Sequence, residues 1–148
     1  MAERTFVMVK PDGVQRRLVG EVIKRFENAG MKIVAMKFMS VTRELAEKHY
    51  AVHKGKDFYD GLLDYITSGP VVAMVVEGSN AVERVRTMVG VTDPDKASPG
   101  TIRGDYSQSI RKNIIHASDS SGTAEHEIAM WFGPDEIISY KMSDEEWL

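Results

Sequence analysis

The stretch NIIHASDSSGTAEHE, Asn113 through Glu127, sets a single imidazole, His116, after an apolar run and before small polar residues. A histidine at a strand end has a firmly held backbone. The small Ala117, Ser118 and Asp119 that follow leave room for a ligand. To act as a nucleophile, an imidazole needs one ring nitrogen free and the other pinned by a hydrogen bond, which fixes tautomer and ring direction. A carboxylate is the natural pinning partner. Glu127, early on the helix that should follow, is in a position to fold back, with Ser118 bridging. The same residues also fit a structural histidine, a glutamate favoured by the helix dipole, and ordinary turn chemistry at Ser118 and Asp119.

Cations scattered along the chain suggest what such a nucleophile would attack. Lys10 ends the first apolar run, Arg86 lies mid-helix and Arg103 lies in TIRGD. Singly, each reads as a solvated charge. Together they are suitable parts for holding a polyphosphate, because guanidinium forks pair with phosphate oxygens. Thr92 adds a hydroxyl donor. Phe58 and Ile110 offer a wall on which a base can stack, although Phe58 fits a helix-start core position as well. His49 and His53, at i and i+4, form half a zinc site and read as a solvated helix end. His126, between two glutamates, reads as surface.

The familiar phosphate and hydrolase signatures are absent: no GxxxxGK[ST], GxGxxG, GxSxG or HExxH occurs. The chain has 148 residues, with 43% hydrophobic and 28% charged. That suits one soluble domain over residues 1–148 with a proper core. Basic residues number 19 and acidic 22, a net charge of about -3. Bulk electrostatic binding of nucleic acid is therefore not expected. Without cysteine there is no disulfide, thiol catalysis or cysteine metal site. No apolar run is long enough to span a membrane and no signal core opens the chain, so a cytoplasmic location is expected.

These side chains must be positioned by regular elements. Thr5–Lys10 reads as a buried strand stopped by a turn at Pro11-Asp12-Gly13. Val19, Val22, Ile23 and Phe26 give helical spacing over Gly20–Ala29, ended by Gly30. Met31–Val41 reads as a strand closed by Thr42, an N-cap for a helix over Arg43–Tyr50. A second helix, Phe58–Ser68, is opened by Asp57 and stopped by Gly69-Pro70. Val71–Glu77 reads as a central strand. Asn80 and Glu83 resemble a capping box for a helix ending at Gly90. Val91–Lys112 shows little periodicity and is expected to be an ordered loop lining a site. Asn113–His116 completes the strands, and Thr123–Phe132 is a helix capped by Ser121 or Thr123. Without the inserted helix pair the order is βαββαβ. That predicts an α+β, ferredoxin-like fold: an antiparallel sheet with helices on its faces, an inserted helix pair and a long active-site loop.

At this point the chain resembles the nucleoside diphosphate kinase family over essentially its whole length. NIIHASDS resembles that family's signature N-x-x-H-x-S-D. TFVMVKPDGVQRRLVGEVIKRFE, SGPVVAMVVEG, GVTDPDKASPGTIRGDY and AEHEIAMWFGPDEI resemble its other blocks, in order. Ala117 stands where glycine is common and Ile110 where valine is common. The resemblance implies transfer of the γ-phosphoryl group of a nucleoside triphosphate to a nucleoside diphosphate. His116 would carry the group transiently in a ping-pong cycle, with Glu127 and Ser118 orienting its ring. Lys10, Tyr50, Arg86, Thr92, Arg103 and Asn113 match the phosphate- and ribose-contacting positions, and Phe58 and Ile110 the base-flanking wall. Mg2+ would arrive with the nucleotide and not in a protein cage. The resemblance further implies a homo-oligomer; the loop carrying Pro94 and the EEWL tail resemble the hexameric members. Two other classes compete: a ferredoxin-like module that binds nucleotides without turnover, and a nucleic-acid binder using Arg103, Arg111 and Lys112.

Overall fold

The computed structural model describes residues 2–148. Four strands form one sheet: β1 (Ala2–Val9), β2 (Lys32–Met39), β3 (Val71–Ser79) and β4 (Ile115–Ala117). Their order across the sheet is β2-β3-β1-β4, and every neighbouring pair is antiparallel. With the crossover helices α2 (Val19–Asn28) and α5 (Ala81–Val89), this is the ferredoxin-like βαββαβ arrangement. The inserted pair is α3 (Arg43–His49) and α4 (Tyr59–Ile66), and α7 (Ser121–Trp131) follows β4. No described helix is long and apolar enough to cross a membrane.

The apolar runs of β1 and β3 are central because both faces of the sheet are covered. Alternation sorts their side chains into separate cores. Val7 and Val9 pack with Val22, Phe26 and Val85 of α2 and α5. Phe6 and Met8 pack with Ala46, Leu63 and Trp131 of α3, α4 and α7. His116 stands opposite Met8 in the register between β1 and β4. Cross-strand partners share a face, so its ring emerges on the side of α3 and α7.

Several local readings change. The Pro11-Asp12-Gly13 turn extends into a short helix, α1 (Pro11–Gln15), because proline at the first helical position presets φ. Asn80 does not cap α5: it adopts a left-handed conformation, φ 51°, and its side chain makes no capping bond. The Val82 amide donates instead to Glu3 Oε1 at 3.0 Å, a cap delivered from β1. Asp57 does not open α4; Phe58 holds the N-cap position, without a side-chain bond. For α7 the cap is Ser120, whose Oγ accepts from the Thr123 amide at 3.1 Å, not Ser121 or Thr123. Thr42 caps α3 as expected, accepting from the Leu45 amide at 3.1 Å.

The aperiodic stretch from Val91 to Lys112 contains one helix, α6 (Ile102–Tyr106). Arg25 of α2 ties it down from outside, through Gly100 O at 2.9 Å and Asp105 Oδ2 at 2.7 Å. From inside, Arg103 donates to Gly90 O at 2.9 Å and to Ile115 O at 2.6 Å. A loop stapled on both sides serves as a wall and not as a linker.

Candidate active site

The nucleophile candidate is built by the end of β4 and the first turns of α7. His116 Nε2 lies 2.9 Å from Glu127 Oε1 and 3.0 Å from Oε2. Ser118 Oγ donates to Glu127 Oε1 at 2.5 Å. Burial opposes ionisation of Glu127, yet the hydrogen bond and charge of His116, then Ser118 and His49, hold its carboxyl below the usual carboxylate range. An ionised Glu127 accepts, so Nε2 is the donor of this pair, and in the neutral ring Nδ1 keeps its lone pair. The His116 side chain is 24% exposed, whereas Glu127 is 8% exposed. The carboxylate is sealed and the ring is open on one side.

Two adjoining hollows meet at that ring. The polar one, about 580 Å³, is lined by Lys10, Tyr50, Arg86, Thr92, Arg103, Asn113, His116 and Glu127 among others. The second, about 380 Å³, carries Phe58, Leu62 and Ile110 and shares Lys10, Tyr50, Thr92, Asn113 and His116 with the first. Between them they gather every site residue expected from the sequence except Ser118, which lies fully buried beneath Glu127.

The polar hollow is electrostatically unsatisfied. Lys10 is buried with Nζ bonded to Asn113 Oδ1 at 2.9 Å. Desolvation, then the nearby Arg103 charge, pushes its ammonium down to about 8. Desolvation and Arg86 lower Arg103 to about 10. Buried cations that repel one another stabilise an incoming polyanion, which relieves both costs. The Tyr50 hydroxyl and Arg103 Nε are buried without a hydrogen-bond partner among the described residues. Desolvation, and then the Glu127 charge, raises the Tyr50 hydroxyl to about 12, so it stays a donor.

His49 is not at a solvated helix end. Its side chain is 2% exposed. The Trp131 indole N–H donates to its Nδ1 at 3.2 Å. Its ring meets that of His116 edge-on, with centroids 4.7 Å apart. Burial, then the charge of His116, pushes it down to about 3, so it is neutral. His53 also departs from the solvated reading, since it borders both hollows and stacks edge-on with Phe58 at 5.2 Å. Helical spacing alone carried no signal for either, because α3 ends at His49 and the chain turns through a short 3-10 segment over Ala51–His53. His126 is exposed at the rim of the polar hollow.

Donor atoms of His49, His116 and Glu127 lie within 4.8 Å of one another. They do not read as a metal cage, since His49 Nδ1 is engaged by Trp131, and His116 Nε2 and the carboxylate engage each other.

Comparison with known proteins gives one answer throughout. The profile of the family described as "Nucleoside diphosphate kinase" matches residues 3–137. A nucleoside diphosphate kinase of Archaeoglobus fulgidus is 61% identical over 99% of this chain and 97% of its own. One from Staphylococcus carnosus is 57% identical over the same shares. Among solved structures, a halophilic nucleoside diphosphate kinase from Halobacterium salinarum in complex with CDP superposes with a TM-score of 0.97 at 51% identity, covering 99% of this chain and 98% of that one. A nucleoside diphosphate kinase family protein from Babesia bovis gives a TM-score of 0.96 at 46% identity, covering 98% of each.

Proposed function

The chain belongs to the nucleoside diphosphate kinase family, and we propose that it carries the γ-phosphoryl group from a nucleoside triphosphate to a nucleoside diphosphate on Nδ1 of its own His116. The observation that carries this reading is the pairing of His116 Nε2 with both oxygens of an ionised, buried Glu127. With Nε2–H held in place, the lone pair of Nδ1 attacks the γ-phosphorus. The bond to the β,γ-bridging oxygen breaks, and the nucleoside diphosphate leaves with that electron pair. A second diphosphate then occupies the same site and takes the group back from nitrogen. One binding site therefore serves both half-reactions.

Phosphoryl transfer asks a protein chiefly for alignment and charge neutralisation. Lys10, Arg86, Arg103 and Thr92 supply donors around the polar hollow, and Tyr50 and Asn113 complete its wall. Phe58 and Ile110 flank the apolar hollow, where a base would stack on an aromatic face. A stacked π-face does not read a hydrogen-bond pattern, so purine, pyrimidine, ribo- and deoxyribonucleotides would all be accepted.

Mg2+ fits this site as a passenger on the phosphates. Besides Glu127, which is engaged by His116 and Ser118, Asp119 is the carboxylate on the wall of the polar hollow. One exposed carboxylate suits an ion that keeps its waters and its phosphate ligands. When bound, the ion would neutralise charge on the β- and γ-phosphates; alignment of the nucleophile rests with the protein side chains. We further propose a cytoplasmic enzyme assembled as a homohexamer through its long loop and C-terminal tail.

Brief incubation with γ-32P-ATP tests the reading. The protein is expected to take up label that is acid-labile and alkali-stable, and to lose it when GDP is added. Nucleotide binding without labelling would overturn the relay and favour a sensing module.

A further inference from the structure

Ile114, between Asn113 and His116, has φ 77° and is fully buried. A β-branched residue in this region is a true outlier. The Ile115 amide donates to Asn113 O at 2.8 Å, so Ile114 is the centre of a three-residue γ-turn of the rare, positive-φ kind. Such strain persists only where its surroundings impose it, and it concentrates at functional sites.

The surroundings here are the KPDG stretch. The Lys10 amide donates to Ile114 O at 2.7 Å. Asp12 Oδ2 accepts from the Ile114 amide at 3.0 Å. The other oxygen, Asp12 Oδ1, accepts from the Tyr65 hydroxyl. Gly13 lets the backbones approach: a Cβ there would lie 2.9 Å from Ile114 O and 2.7 Å from Val9 Cγ1. Both backbone polar groups of the strained residue are thus gripped by one short turn.

The turn has a consequence for the site. In an extended strand, residues i and i+3 point to opposite faces. Asn113 and His116 are so spaced, yet both line the polar hollow. The γ-turn between them reconciles the two. We propose that Asp12, held by Tyr65, is a positioning residue that imposes the γ-turn at Ile114 and thereby aims the His116 ring into the site that Asn113 already lines. Asp12 does not touch the reacting atoms; it acts through the backbone.

This inference rests on the phosphohistidine reading, and the test separates the two. Wild type, Asp12→Ala, Asp12→Asn and Tyr65→Phe are mixed with γ-32P-ATP in single-turnover rapid quench, and ADP affinity and melting are measured in parallel. Wild type that never labels would defeat the reading of the site itself. With wild type labelling, Asp12→Ala is expected to label about 10- to 100-fold more slowly, the penalty of a small misalignment, with ADP affinity within about threefold. Asp12→Asn, which keeps an oxygen for the Ile114 amide, should recover most of the rate. Labelling by Asp12→Ala at the wild-type rate would overturn the proposal. So would equal slowing in Asn and Ala, which would point to charge, or an ADP affinity that falls in step with the rate. Should Asp12→Ala fail to fold, Tyr65→Phe decides: it keeps the ring and loses one bond, so slower labelling with intact ADP binding supports the proposal and a wild-type rate refutes it.

Discussion

One carboxylate serves two donors: Glu127 Oε1 lies 2.9 Å from His116 Nε2 and receives the Ser118 hydroxyl at 2.5 Å. His116 and Glu127 arise from separate elements, β4 and α7, and meet because α7 packs back across β1. The pair is the hinge of the mechanism. His116→Ala should abolish turnover while ADP binding persists. Glu127→Gln keeps an oxygen acceptor but loses the charge, so it should slow labelling less than His116→Ala does. Single-turnover labelling of both variants checks this; turnover retained in His116→Ala would remove the nucleophile from the account.

Arg103 joins a wall of the site to its frame. Arg103→Ala should lose about 3–4 kcal/mol of transition-state stabilisation, by analogy with other preorganised charge contacts. Its bonds to Gly90 O and Ile115 O hold the loop, so the melting temperature should also fall. Steady-state kinetics together with a melting curve separate the two effects. Wild-type kcat/KM in a folded variant would refute the assignment.

Lys10 predicts an alkaline limit. Its ammonium titrates near 8 in the free protein, lowered first by burial. The charged form binds phosphate, so kcat/KM should fall as pH rises through about 8, whereas kcat, which reports the complex, should hold to higher pH. Stability has the opposite sign. Between about 8 and the ordinary lysine value the unfolded chain binds the proton that the folded chain has released, so folding gains from rising pH in that window. Denaturant midpoints of wild type and Lys10→Met across pH 7–10.5 should converge as pH increases.

His49 predicts an acid limit on stability. It is held neutral, down to about 3, first by burial. Its folded value lies below the unfolded one, so its share of stability is present above about 6.5 and is lost as pH falls from there toward 3. His49→Gln, which keeps an acceptor for the Trp131 indole, should flatten this part of the stability curve. Chemical denaturation at steps between pH 7 and 4 gives the comparison, and identical slopes in the two proteins would remove His49 as the cause.

Arg17, exposed at the end of α1, has φ 61°. Left-handed backbone is costly for any residue with a Cβ, and glycine avoids that cost while giving the unfolded chain more entropy to lose on folding. Arg17→Gly should therefore raise stability by about 0.5–1 kcal/mol without changing activity. A lowered melting temperature would contradict this.

Sequence alone determined the larger outline. Apolar and β-branched runs bounded by turn residues marked four strands, and helical spacing and cap residues marked the crossover helices; the βαββαβ order then left few ways to close a sheet. The motif NIIHASD and the ordered blocks around it carry the likeness to the family within the sequence itself. These signals are legible because they depend on neighbours within a few residues. What only the tertiary structure decided depends on residues distant in the chain. Asn80 had the right type and spacing to cap α5, but Glu3 of β1 delivers the cap. His49 resembled a surface residue until α3, α7 and Phe6 enclosed it beside His116. The γ-turn at Ile114 was invisible in an apolar run that favours strand. Local preference there opposes the observed conformation, and it yields because Lys10, Asp12 and Gly13, far away in sequence, hold both polar groups of that residue once the sheet has closed.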